Sequence, residues 1–250
     1  AELVANYMYN KADKVIVVSN WQKEIIQKIF NIPENHIKVI YNGINTNYFN
    51  AKIQKNRNKI IYTSAPDRGL DLLISFFPEL KKLYPNLELH IYSSFKTWGK
   101  YDYHSKELED SIFEKAKETE GIFIKEPIPI NKLANELLDS YIMLYPNHSA
   151  PQNYFNAETF CLSIVEGEAA GLPIITSNRG ALSEVVENNI SGYLIDDDPY
   201  SENYRKIFIE KFIELYDNVE LYNKFSENAI KKAEKFSWSN IIKEWDDFFQ

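Results

Sequence analysis

One cysteine, Cys161, is all that 250 residues carry. It has no internal partner, so a disulfide cannot hold the fold together, and the Cys-rich metal motifs are excluded with it. A reducing compartment is the simplest reading, and a cytoplasmic location is expected, with peripheral attachment to a membrane left open. Glycine is scarce at 8 residues, so each is expected where the backbone requires it. Long apolar runs are missing as well. No stretch approaches the roughly 20 residues that span a bilayer, and neither a transmembrane segment nor a signal peptide is expected. Positive charge is outweighed, with 28 Lys and Arg against 36 Asp and Glu, a net charge of -8. That balance disfavours nucleic acid as a partner, because sequence-independent binding rests on clustered cations. The local basic runs, Lys52 to Lys59 and Lys231-Lys232, read as a solvated linker and a solvated helix face.

What is present is ordinary globular composition, 44% hydrophobic and 26% charged, at a length suited to one domain and a part of another. Short β-branched runs alternate with amphipathic stretches. Lys14 to Val18 reads as a strand, followed by Ser19 as an N-cap and a helical pattern through Trp21, Ile25, Ile26 and Ile29. A short run at 37–40 leads into the turn pair Asn42-Gly43. After a polar linker, six candidate strands follow at 60–62, 87–92, 122–124, 141–144, 173–176 and 192–195. Helical patterns occupy about 70–83, 104–119, 131–140, 161–170 and 180–188 between them, and the chain closes on helices at 202–217, 219–235 and 238–249. Short apolar strands alternating with helices predict an α/β fold, a doubly wound, Rossmann-like parallel sheet of about six strands. The front strand and helix cannot form a core alone. The last helix, with Trp238, Ile241, Ile242, Trp245, Phe248 and Phe249, is too apolar to stand free.

The segment richest in chemistry runs from Ala157 to Pro173. A loop carrying Glu158 is expected to enter a helix near Phe160 that stops at Gly171. Helix N-termini present amide N–H groups and a partial positive charge that favour phosphate, and Phe160, Cys161 and Leu162 are expected to supply those groups. Glu166 lies four residues beyond Leu162 on a similar face, where a carboxylate can accept from vicinal hydroxyls such as those of a ribose. By spacing alone, Glu158 also reads as an acid stabilising the helix dipole, and Glu166 and Glu168 as a solvated face.

The segment resembles the E-x7-E region of the retaining, nucleotide-sugar-dependent glycosyltransferases with the GT-B fold, the large family that includes sucrose synthases and many lipopolysaccharide and mannosyl transferases. Other segments resemble the same family in the same order. Ala12 to Ser19 matches its "ADxVIxxS" strand, Val39 to Asn45 its "VIPNGID" interdomain segment and Asp67 to Leu73 its "xKGxDxLL" turn. Gly180 to Val186 and Ser191 to Leu194 match "GGxxEVV" and "xGxLV". The resemblance implies a division into residues 1–45 as a remnant of the N-terminal, acceptor domain with the interdomain segment, 46–235 as the nucleotide-sugar-binding domain, and 236–250 as a helix crossing back. It also implies that much of the usual N-terminal domain is absent from this chain.

In the family's pattern Arg68 contacts the donor's phosphates, Glu158 lies near the sugar and the reacting centre, and Glu166 holds the ribose. The family's second cation is replaced here by Tyr62-Thr63-Ser64, where Ser64 offers a hydrogen bond instead, and the second glycine of "EGFG" is replaced by Cys161. The base is expected against the loop around Lys125 to Ile128, and His148 in the loop before Glu158 is placed to shape the sugar pocket. The implied reaction is transfer of a sugar from a nucleotide sugar to an acceptor hydroxyl with retention of anomeric configuration. No cofactor and no metal are expected, and the nucleotide sugar is the donor substrate. The acceptor, whether glycan, lipid or protein, is not specified. Two other readings stay open: a module that binds a nucleotide sugar without turnover and needs a separate acceptor domain, and a GT-B nucleotide-sugar epimerase.

Overall fold

The structure is a computed structural model that describes Tyr9, residues 11–98, 102–149 and 157–250. Two parallel sheets are present among these residues. The smaller pairs β1 (Val15–Val17) with β2 (Ile37–Val39), joined through helix α1 (Asn20–Phe30). Ser19 caps α1 as expected, its hydroxyl accepting from the Gln22 amide at 3.0 Å. Val15, Val17, Ile26, Phe30, Ile32 and Ile37 make a small core of their own.

The larger sheet contains β3 (Lys59–Tyr62), β4 (Glu88–Tyr92), β5 (Ile122–Lys125), β6 (Ile142–Tyr145), β7 (Ile174–Ser177) and β8 (Gly192–Ile195). Its order is β5-β4-β3-β6-β7-β8, and every pairing is parallel. The order reverses between β3 and β6, so the carboxyl ends of these two strands form the topological switch point at which ligands bind in such sheets. Residues of β3, β6 and β7 are buried throughout, which is why these strands read as unbroken apolar runs rather than alternations.

Helices α2 (Leu70–Leu83), α3 (Tyr103–Lys117), α4 (Ile130–Asp139), α5 (Leu162–Ala169) and the short α6 (Leu182–Val185) connect the strands. The chain then runs through α7 (Glu202–Asp217), α8 (Val219–Glu234) and α9 (Trp238–Phe249). α8 packs on α5, and α7 lies on β7, β8 and α2. The path from β2 to the large sheet runs beside the path from α8 to α9. Ile44 donates its amide to the Phe236 carbonyl at 2.8 Å, and the Trp238 amide donates to the Ile44 carbonyl at 3.0 Å. Gly43 lies directly under the Trp238 indole, where a Cβ would come within 2.5 Å of the ring. Ile241 is fully buried, whereas Trp245 stacks on Phe249 and Phe248 meets both edge-on, with Phe249 76% exposed. Among the described residues, no helix is long and apolar enough to cross a membrane.

Candidate functional site

A cleft of about 370 Å³ opens at the carboxyl ends of β3, β4 and β5. Thr63 and Ser64 follow β3, Ser93 and Ser94 follow β4, Pro127 and Ile128 follow β5, and Ser163 enters from the first turn of α5. The loop expected to face a base therefore does line a cleft, together with Ser64. Among the described residues the buried Thr63 hydroxyl has no hydrogen-bond partner, an orphan that a ligand would satisfy. The walls are tied together. Ser163 donates to the Thr63 carbonyl at 2.6 Å, and the Ser93 hydroxyl donates to the Ser64 carbonyl. Glu109 of α3 accepts from the Phe95 amide at 2.6 Å and from the Ser94 hydroxyl, which fixes the turn after β4.

A second cleft of about 360 Å³ also borders the start of α5. Leu162 and Glu166 line it with Gly43, Ile44, Asn45, Ile130 and Trp238. Glu166 is thus brought beside the segment where the two chain crossings run together. Burial pushes its carboxyl up to about 7.

Arg68 and Glu158 form the charged centre. Arg68 sits in the turn between β3 and α2, and Gly69 behind it has φ +93. A Cβ on Gly69 would lie 1.9 Å from the Pro146 carbonyl oxygen, so the turn reaches the end of β6 only because this residue is glycine. Gly180 does the same for Glu158: its φ is +56, and a Cβ would meet the Glu158 carbonyl at 2.2 Å. The Ala181 amide then donates to that carbonyl at 2.8 Å. Burial opposes the charge on Arg68, but the carboxylates of Glu158 and Asp67 hold the guanidinium above its ordinary value. Burial likewise raises the Glu158 carboxyl, while Arg68, the Tyr145 hydroxyl and the Phe160 amide pull it back.

One expectation is corrected here: Phe160 precedes the helix instead of opening it, and its ring is buried. α5 begins at Leu162, with Cys161 as its N-cap. Leu162 and Ser163 contribute the first amides that have no acceptor within the helix. Cys161 adopts φ +127, in the region that favours glycine, and strain of about 1–3 kcal/mol is typical of such a residue. Its thiol is buried, and burial pushes it far above its ordinary range. Glu168, expected on a solvated face, is fully buried instead and accepts from the Ser191 hydroxyl at 2.7 Å. His148 pairs with Asp71 at 3.2 Å and lies against Tyr200, which ties the loop after β6 to the first turn of α2. The later part of that loop, 150–156, lies outside the described residues.

One side chain that the sequence did not single out joins the charged centre to the first cleft. The Tyr145 hydroxyl donates to Glu158 Oε2 at 2.8 Å, accepts from Asn147 Nδ2 at 3.1 Å and lies 3.4 Å from Ser64 Oγ.

Comparison with known proteins fits this arrangement. The sequence profile described as "Glycosyl transferases group 1" matches residues 44–232, and "Glycosyltransferase Family 4" matches residues 2–48. The chain belongs to the group 1 glycosyltransferase family. An uncharacterized glycosyltransferase of Methanocaldococcus jannaschii is 25% identical over 237 residues, 94% of this chain and 59% of that protein. A probable sucrose-phosphate synthase of Thermosipho melanesiensis is 28% identical over 229 residues, 89% of this chain and 47% of that protein. The chain therefore spans about half to three fifths of the length of these relatives. Among solved structures, Anabaena HepE in complex with UDP and glucose superposes with a TM-score of 0.78 at 16% identity, over 99% of this chain and 66% of that one. TarM of S. aureus, in a complex that includes UDP, gives 0.75 at 23% identity over 100% of this chain and 46% of that one. The six-stranded sheet and its helices are those of GT-B glycosyltransferases.

Proposed function

We propose that the chain carries the donor-binding part of a glycosyltransferase that moves a sugar, a hexose by the family's pattern, from a nucleotide sugar to an acceptor hydroxyl with retention of anomeric configuration and without a metal ion. The observation that carries this reading is the cleft at the carboxyl ends of β3, β4 and β5, linked through Ser64 and Tyr145 to Glu158, within the stretch matched by the family. The base lies in the cleft against Pro127 and Ile128, with the orphan Thr63 hydroxyl, Ser64 and Ser94 as polar partners. Arg68 and the amides of Leu162 and Ser163 face the diphosphate. Negative charge grows on the diphosphate as the sugar departs, and a fixed guanidinium with oriented amides stabilises such charge without reorganisation. Glu158 stands at the sugar, and Glu166 takes the ribose hydroxyls. A separate segment or chain supplies the acceptor domain, and the work takes place in the cytoplasm.

The test is a thermal-shift titration with UDP and a panel of nucleotide sugars. A ligand at a hundredfold excess over its Kd stabilises by about 2.7 kcal/mol, a rise of about 5–10 °C for a chain of this size. Arg68→Ala removes most of that rise. A flat response to every nucleotide at millimolar concentration sinks the proposal. Binding without transfer, once an acceptor domain is present, turns it into a binding module.

A further inference from the structure

Tyr145 ends β6 at the switch point and is 1% exposed, yet its hydroxyl is fully engaged. It donates to Glu158 Oε2 at 2.8 Å, and the Asn147 amide donates to it at 3.1 Å. Ser64, which lines the first cleft, lies at 3.4 Å. Asn147 is itself buried, and its Oδ1 accepts from the Ser149 amide at 2.9 Å and from the Ser149 hydroxyl. The phenol is therefore held by two residues that follow β6, with Ser64 beyond the end of β3 close by. It packs against the Tyr62 ring, 5.8 Å between centroids, which sets its direction.

We propose that Tyr145 is the positioning residue of this site: its hydroxyl fixes the Glu158 carboxylate and couples it, through Ser64, to occupancy of the nucleotide cleft. The coupling rests on the donor reading above; the hold on Glu158 does not. Phenols engaged this way remain protonated here, because burial lifts Tyr145 far above its ordinary value. Among the described residues, the other charged or titratable groups acting on Glu158 are Arg68 from the turn before α2 and Cys161 at the entry of α5. Arg68 supplies charge from one side. Tyr145 supplies a donor from the strand, and its hydroxyl also lies beside Ser64 of the first cleft.

Tyr145→Phe removes the hydroxyl and keeps the ring. The readout is the Glu158 carboxyl carbon by NMR with 13C labelling, assigned with Glu158→Gln. A hydrogen bond to a charged group corresponds to a titration midpoint displaced by about one pH unit, so the Glu158 midpoint rises by about that much in Tyr145→Phe. Adding UDP moves the Glu158 signal in the unaltered protein and leaves it nearly still in the variant, while the Kd for UDP changes less than about threefold. An unchanged midpoint in a folded variant overturns the proposal, and so does an identical response to UDP in both proteins. Failure of UDP to bind the unaltered protein removes the donor reading and the coupling, and the midpoint then decides the hold on Glu158. Should the variant not fold, a through-bond correlation between the Tyr145 hydroxyl proton and the Glu158 carboxyl carbon in the unaltered protein decides it: its presence supports the hold, and its absence refutes it.

Discussion

Glu166 has no hydrogen-bond or ion-pair partner for its carboxylate among the described residues, and burial alone lifts it from the ordinary 4.5 to about 7. With the folded value above the unfolded one, its contribution to stability is complete below pH 4.5 and is lost as the pH rises through 7. Glu166→Gln abolishes the loss. The variant matches the unaltered protein to within about half a kcal/mol at pH 4.5 and exceeds it by up to about 3 kcal/mol above pH 8, read as the difference in Tm across that range. A difference independent of pH refutes the assignment. Such a cost is consistent with the role proposed for Glu166 on a ligand's hydroxyls. Residues such as this were legible as candidates because a recurring motif marked their place. Tyr145 was not, since the last residue of an apolar strand reads as core, and only the fold shows its hydroxyl turned toward Glu158. Glu168 misled for the opposite reason: its periodicity suits a solvated face, but α8 covers that face of α5.

The elements behind the site are held as firmly as the site itself. Lys55, in the linker before β3, sends its ammonium to the carbonyls of Leu138 at 3.3 Å, Ser140 at 3.1 Å and Ala170 at 2.9 Å. One cation thus closes the C-terminal ends of both α4 and α5, where unsatisfied carbonyls and the negative dipole end gather. α5 presents its other end to the two clefts, so Lys55 anchors the helix from behind. Burial lowers the ammonium to about 8, so the charged form carries a desolvation cost that is complete below that pH and fades as the pH rises toward 10.5. Without the ammonium the three carbonyls lose their shared donor, and a buried acceptor left unmet costs about 1–3 kcal/mol. Lys55→Met keeps the stem and strips the donor, and it lowers stability by about 2–4 kcal/mol at pH 7, seen as a fall of roughly 5–15 °C in Tm. A Tm within 2 °C of the unaltered protein contradicts the capping role. From sequence, Lys55 belonged to a run that read as a solvated linker, because a donor bridging two distant helix ends leaves no local pattern. The strands and long helices did leave one. Their apolar periodicity is a property of the segment itself, whereas the start of α5 at Leu162 goes with the left-handed backbone of Cys161 and with Gly180 and Ala181 packed on Glu158, far away in sequence.

Across the whole molecule, stability is unevenly distributed. The two-stranded sheet of β1 and β2 has a small core separate from the large cluster around β3, β6 and β7. Two-stranded sheets are marginal by themselves, so this unit draws on its contacts with the rest. The main one is Glu184 of α6. Its carboxylate accepts from the Trp21 amide at 2.7 Å, the Asn20 amide at 2.9 Å, the Asn20 side-chain amide at 3.0 Å and the Tyr41 hydroxyl at 2.9 Å. A carboxylate on the first amides of α1 meets the positive end of the helix dipole and satisfies donors that the helix leaves open. Glu184→Ala removes four acceptor contacts from the N-terminal unit and none from the large sheet. Amide hydrogen exchange separates the two consequences. Amides of α1 and β2 in the variant exchange about 10- to 100-fold faster, equivalent to about 1.4–2.7 kcal/mol of local stability, while those of β3 and β6 keep their protection. Equal acceleration in both units shows that the molecule opens as a single cooperative body and that Glu184 is not a separate clasp.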